Sequence, residues 1–230
     1  MPLQRNRHAG PDVSPRWNPT EYYQDKKVAE EYDRARFSSF PAKVYLALER
    51  RCLIQAFTFA GVKPGTVILD APCGTGRLAE ILLQAGYNVA GADISAAMLQ
   101  VAQRRLAQFG ASFEPVVCDA RRLTELGRHF DAALCARVLM HFPLDAQVEF
   151  LGGVAAVCDG PVVFTQSFDS GYQHFRRGVK RLLRHLQPAS YPISRGDLDR
   201  LLHGAGLRLV RRYHLLPAVS EAMIVVAARG

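Results

Sequence analysis

The sequence predicts an α/β fold: a seven-stranded, mostly parallel sheet with helices on both faces and an antiparallel pair at its C-terminal end. Three observations carry this. Between residues 66 and 166, short apolar runs alternate with segments of helical period, the rhythm of βαβ units. The runs, such as Val67-Ile68-Leu69, are apolar on consecutive positions, as in strands buried on both faces. The last two runs, 207–214 and 221–228, are joined by too few residues for a parallel crossover and must pair antiparallel.

Each element follows in order. Pro2, Pro11, Pro15 and Pro19 make residues 1–20 a flexible tail. Residues 21–60 read as two helices, one carrying Val28, Tyr32 and Ala35, the other Val44, Leu48, Cys52 and Leu53. Ser38-Ser39-Phe40-Pro41 separates them, because a residue before proline avoids the helical region. Lys63-Pro64-Gly65 turns the chain into the main domain, 61–230. There the expected strands are 66–69, 88–92, 113–118, 131–135, 161–166, 207–214 and 221–228. Helices are expected at 77–85, 96–108, 144–157 and 195–203, the first two stopped by Gly86 and Gly110.

Composition narrows the class. With 49% hydrophobic and 22% charged residues, the chain is neither disordered nor fibrous. No apolar run reaches the roughly 20 residues of a membrane span, and the first twenty residues hold no signal-type apolar stretch. Cys52, Cys73, Cys118, Cys135 and Cys158 are odd in number and form no C-x-x-C. A disulfide framework and a metal site are therefore not expected, and a reducing cytoplasm is. Of the net charge of +8, the last 63 residues supply +7, from eleven basic and four acidic side chains. That asymmetry points to an anionic partner.

The chemistry concentrates in Val67-Ile68-Leu69-Asp70-Ala71-Pro72-Cys73-Gly74-Thr75-Gly76-Arg77, a buried strand ending in an acid and then a glycine turn into a helix. Nineteen residues after Gly74 a second strand ends at Asp93. Glycines at such a turn let a ligand approach the backbone, and an acid ending the next strand can accept from ribose hydroxyls. Gly74-Thr75-Gly76-Arg77-Leu78-Ala79 also fits the looser dinucleotide fingerprint. Asp70, however, would repel a pyrophosphate, and Pro72 lacks an N–H that an anion would need. The acid suits a ligand carrying positive charge. A phosphate-binding P-loop is excluded, since no G-K-[ST] follows.

The segment Asp70-Ala71-Pro72-Cys73-Gly74-Thr75-Gly76 resembles the first motif of the class I S-adenosylmethionine-dependent methyltransferases. Gly91-Ala92-Asp93-Ile94-Ser95 resembles their second motif and Val117-Cys118-Asp119-Ala120 their third. The run from Phe130 through Cys135-Ala136-Arg137 to His141 resembles the fourth. Pro72-Cys73 departs from the common Gly-x. The resemblance implies S-adenosylmethionine as cofactor and a role for each matching residue. Ala71, Gly74 and Gly76 would line its methionine part, with Asp70 near the ammonium group. Asp93 would hold the ribose, with Ile94 and Met98 against the adenine. Asp119 and Ala120 would address the ring's polar edge, and Cys135, Ala136 and Arg137 would border the sulfonium. The plainer alternative is that these acids only cap helices. The N-terminal helices resemble a segment that covers the cofactor, with Tyr32 and Arg36 in contact with it; equally, the tyrosines pack as an ordinary amphipathic face.

For methyl transfer to a hydroxyl, His141 is the candidate general base by location, weighed against a structural histidine. Asp169, Tyr172 and His174 follow the fifth strand and could also face the acceptor. Residues 174–186 place Phe175, Val179, Leu182, Leu183 and Leu186 on one helical face and five basic residues on the other. This basic insertion, at about 170–192, suits an anionic small-molecule, lipid or glycan acceptor or a peripheral membrane contact. Its plainer reading is a solvated helix face. The expectation is a methyltransferase acting on an oxygen of such an acceptor. RNA methylation is the first alternative, disfavoured because Ala136-Arg137-Val138-Leu139 stands where a base-amine motif would be. A cofactor-binding scaffold without activity is the second.

Overall fold

The structure is a computed structural model that describes residues 40–168, 191–215 and 222–230. The expected lid residues Tyr32 and Arg36, the tail, and residues 169–190, which hold Asp169, Tyr172, His174 and nearly all of the basic insertion, lie outside the described residues.

Seven strands form one sheet in the order β3-β2-β1-β4-β5-β7-β6. They are β1 (Val67–Asp70), β2 (Asn88–Asp93), β3 (Phe113–Val117), β4 (Ala132–Cys135), β5 (Val162–Ser167), β6 (Leu207–His214) and β7 (Ala222–Arg229). β1 to β5 are mutually parallel, while β7 runs antiparallel to both β5 and β6. The helices are α1 (Phe40–Phe59), α2 (Arg77–Gln84), α3 (Ala96–Leu106), α4 (Leu144–Ala156) and α5 (Arg195–Gly204). Short 3-10 turns at Ala107–Ser112, Ala120–Leu126 and Leu139–His141 complete the connections.

The consecutive apolar positions of the strands serve two cores. Ile68, Val89, Leu134 and Val163 point to the face covered by α1, α2 and α3, where Leu53, Phe57, Leu82 and Leu106 pack. Their neighbours Leu69, Ala90, Ala133 and Phe164 point to the other face, against Leu123, Leu151, Leu198 and Leu201. Burial on both sides is what a parallel sheet under two helical layers requires. Where the sequence suggested helix to residue 108, α3 stops at Leu106 and the chain tightens into a 3-10 turn. Gly110 there adopts φ 53°, outside the helical region.

The parallel register gathers functional groups at one edge. Asp70 is in register with Gly91 on one side and Leu134 on the other, and Asp93 pairs with Val117. The C-terminal ends of β1, β2 and β4 therefore open onto a common crevice, the usual ligand position in an open α/β sheet.

Candidate cofactor and acceptor site

The crevice opens to solvent and holds about 1140 Å³ of space, counting the solvent at its mouth. Asp70, Gly74, Arg77, Asp93, Ile94, Met98, Asp119, Ala120, Ala136, Arg137 and His141 all contribute to its wall. Residues from four strand ends thus meet in one place.

The glycine turn is held open by a carboxylate. Gly74 N–H donates to Asp93 Oδ2 at 2.8 Å, and Ser95 N–H donates to Oδ1 at 2.8 Å. Gly74 adopts φ +57°, and a Cβ built on it would meet no protein atom within 4 Å. Gly76, at φ +76°, is glycine for the opposite reason: a Cβ there would lie 2.9 Å from Leu106 Cδ1 and 3.2 Å from Ala102 Cα. One glycine leaves room for a ligand; the other lets α3 approach. Gly91 makes a second close passage, its Cβ position lying 2.7 Å from both Cys73 Sγ and Phe113 Cε2.

The acids are not simply helix caps. Gly76 occupies the N-cap of α2 without a side-chain bond, and Ser95 caps α3 by accepting from Met98 N–H. Asp70 is 1% exposed, and its Oδ2 has no hydrogen-bond partner among the described residues. Burial raises its pKa to about 8, opposed by the Cys73 thiol hydrogen bond and reinforced by the charge of Asp93. Burial also raises Asp93, while the two backbone donors pull it back. Asp119 does cap, accepting from Arg121 N–H. Its carboxylate is also gripped by Arg121 Nη2 at 2.6 Å and Nε at 3.1 Å, which holds its pKa below the usual range.

Three residues expected at the ligand are placed behind the wall. Ala71, with its N–H bonded to Leu134 O, and Cys135 are fully buried in the core, and Gly76 packs against α3. Cys73, by contrast, which departs from the common pattern of the first motif, faces the crevice.

Arg137 reaches the wall in an uncommon backbone conformation, φ +61°, with its N–H donating to Thr165 Oγ1 at 2.6 Å. Its side chain forks onto Glu49 of α1, Nε to Oε1 at 2.9 Å and Nη2 to Oε2 at 2.7 Å. Arg77 Nη2 joins the same Oε2 at 2.9 Å. Glu49, 1% exposed, was missed by sequence reasoning: it lies 28 residues before one arginine and 88 before the other, and Leu48-Glu49-Arg50-Arg51 reads as an ordinary solvated helix face.

The acceptor side is built around His141, which ends the 3-10 turn after β4. The buried Gln147 of α4 donates to both Phe142 O, at 2.7 Å, and Tyr191 O, at 3.2 Å. Tyr191 N–H in turn donates to Met140 O at 2.8 Å, so both flanks of His141 are fixed. Among the described residues no group of three His, Cys, Asp or Glu side chains could hold a metal ion.

Residues 68–159 match a family described as methyltransferase domain. Those residues form a methyltransferase domain, in line with the resemblance of their motifs to the class I S-adenosylmethionine-dependent methyltransferases. It is 31% identical over 105 residues to the magnesium-protoporphyrin O-methyltransferase of Synechocystis, covering 46% of each chain. It is 30% identical over 125 residues to the ubiquinone biosynthesis O-methyltransferase of Bartonella bacilliformis, covering 54% of this chain and 47% of the other. These alignments span about half the length of the curated relatives. The fold also matches the crystal structure of the Synechocystis magnesium protoporphyrin IX methyltransferase with bound S-adenosylhomocysteine. That superposition has a TM-score of 0.76 at 21% identity and covers 92% of this chain and 98% of the other.

The residues present fit the cofactor this family uses. The buried Asp70 Oδ2, which accepts from no group among the described residues, suits a ligand ammonium group. The open space at Gly74 admits a ligand against backbone, and Ile94, Met98 and Phe142 supply apolar wall for a flat base.

Proposed function

We propose that this protein transfers the methyl group of S-adenosylmethionine to an oxygen of a small-molecule acceptor. The observation that carries the reading is the pair of strand-end carboxylates, Asp70 and Asp93, lining one crevice beside the open Gly74 turn. That arrangement favours a cationic nucleoside over a pyrophosphate. The relatives named as O-methyltransferases support oxygen as the receiving atom.

S-Adenosylmethionine, when bound, supplies an electrophilic methyl group on a positively charged sulfur. Asp70 would meet its ammonium group and Asp93 its ribose, while Ile94, Met98 and the edge formed by Asp119 and Ala120 would hold the base. Ala136 and Arg137 border the space between this end and His141. Methyl displacement demands little from the protein beyond alignment and exclusion of water. His141, fixed on both flanks, is the residue on the wall suited to take a proton from an acceptor hydroxyl. An acceptor already ionised would not need it.

The test pairs binding with turnover. Calorimetry should show S-adenosylmethionine binding, and labelled methyl groups should enter a small-metabolite, lipid or glycan fraction. Counts in RNA alone would replace the acceptor class, and binding without any transfer would favour a scaffold. For an un-ionised hydroxyl acceptor, His141→Ala should lower kcat by roughly 10²–10⁴-fold with cofactor affinity unchanged.

A further inference from the structure

The mechanism makes no use of Thr165, which does not itself line the crevice. This residue lies on β5, an inner strand of the sheet, where it is 6% exposed and pairs with Ile224 of β7. The last ladder pair between β4 and β5 is Cys135 with Phe164. One residue further along β5, the Thr165 hydroxyl accepts the Arg137 N–H at 2.6 Å. A side-chain oxygen on a fixed strand thus takes up a backbone donor that has already left β4.

Arg137 is a residue that needs such holding. Among the described residues it is the only one other than glycine with a positive φ, +61°. A Cβ makes that conformation costly, and arginine lacks the short polar side chain with which Asn or Asp offsets the cost locally. A backbone of this kind persists where its surroundings over-determine it. Thr165 holds it from the sheet, and the Glu49 fork holds the same residue from α1. The bend at Arg137 opens the loop that puts Ala136, Val138, His141 and Phe142 on the crevice wall. A different φ at this one position would re-aim the chain that follows it.

We propose that Thr165 is a positioning residue: its hydroxyl keeps Arg137 left-handed, and so keeps the loop from Ala136 to Phe142 in the shape that receives the methyl donor. This rests on the methyltransferase reading above. Without the hydroxyl the loop spends a smaller fraction of its time in that shape, and the apparent affinity for S-adenosylmethionine falls by the same fraction. An ordinary packing role would make the threonine methyl group matter as much as its oxygen. The positioning role lets the oxygen alone decide.

The experiment measures S-adenosylmethionine binding by calorimetry and Tm on the full chain, for wild type and a set of β5 variants. Thr165→Val keeps the shape and loses the hydroxyl; it should raise Kd roughly three- to ten-fold, the effect of one buried hydrogen bond on the loop population. Thr165→Ser keeps the hydroxyl and loses the methyl group; its Kd should stay within about twofold of wild type even though its Tm falls. Val163→Ala, a core truncation two residues away on the same strand, should lower Tm and leave Kd within about twofold. If Thr165→Val does not fold, Thr165→Ala set against Thr165→Ser decides the matter, since those two differ by the hydroxyl alone. Hydrogen exchange over residues 136–142 should quicken in the variant without the hydroxyl and not in Thr165→Ser. Equal Kd values for the Ser variant and the hydroxyl-free variant, or a loss of affinity in Val163→Ala as large as theirs, overturns the proposal. Wild-type protein that binds no S-adenosylmethionine would overturn the methyltransferase reading and this inference with it. Wild type that binds it, with an unchanged Kd once the hydroxyl is gone, would overturn the role of Thr165 alone.

Discussion

The two sides of the sheet use charge in opposite ways. On the parallel side, two buried carboxylates, Asp70 and Asp93, stand at the strand ends around the crevice. On the antiparallel side, β6 is an edge strand whose Arg208, Arg211 and Arg212 are exposed. Arg211 lies over Phe59, 4.4 Å from its ring centroid, and Arg229 on β7 donates to Ala155 O in the last turn of α4 and to Cys158 O just past it. None of the basic residues described after Phe168 lines the crevice. A formal count of charge therefore says little about where a ligand binds, whereas a single desolvated carboxylate says a great deal. On β6 the arginines also discourage edge-to-edge pairing.

The largest expected break in this contrast is Asp93→Ala. It removes the acceptor for Gly74 and Ser95 N–H together with the proposed ribose partner, and Kd for S-adenosylmethionine should rise at least about 100-fold by calorimetry. An unchanged affinity would remove Asp93 from the site.

Next comes pH. In the free protein Asp70 keeps its proton until about pH 8, and a bound ammonium group needs it ionised. Binding should release a proton, so affinity rises as pH rises, by roughly tenfold per unit below 8 and levelling above it. Calorimetry in buffers of different ionisation enthalpy reads that proton directly, and Asp70→Asn should abolish the dependence. Affinity that falls toward pH 8 would contradict the assignment.

Gly76→Ala should be smaller, costing about 2–3 kcal/mol of stability from the clash with Ala102 and Leu106 and the positive φ. A Tm lowered by roughly 5–10 °C is the check. Smallest of all is the triple change Arg208→Gln, Arg211→Gln, Arg212→Gln on the far edge. Cofactor affinity should stay within about twofold, since the exposed arginines are distant and screened by salt. A large change would mean that the edge strand communicates with the crevice.

The sheet, its strand ends and the final antiparallel pair were legible because consecutive apolar positions and glycine turns are local signals. Asp70, Gly74 and Asp93 were legible for the same reason, each fixed by its place at a strand end or in the turn beyond one. Glu49 was not, since a buried ion pair between a helix and two distant loops leaves no periodic trace. The engagement of Asp119 by Arg121 was equally hidden: two residues apart, they meet only because the chain enters a 3-10 turn there. Gly76 looked like a ligand contact because motif position alone cannot tell room for a ligand from room for a neighbouring helix.

Gly91 and Cys73 occupy what is in effect one seat. The thiol sulfur fills the volume that any side chain on β2 would claim, and Cys73 N–H donates to Ala92 O one residue further along that strand. A larger residue at 91 must displace the Phe113 ring or the Cys73 loop, and in the second case it drives the loop toward the space proposed for the nucleoside. Drift at either position should therefore be tolerated only when the other gives way at the same time, and libraries that randomise the two jointly should recover combinations that neither yields by itself.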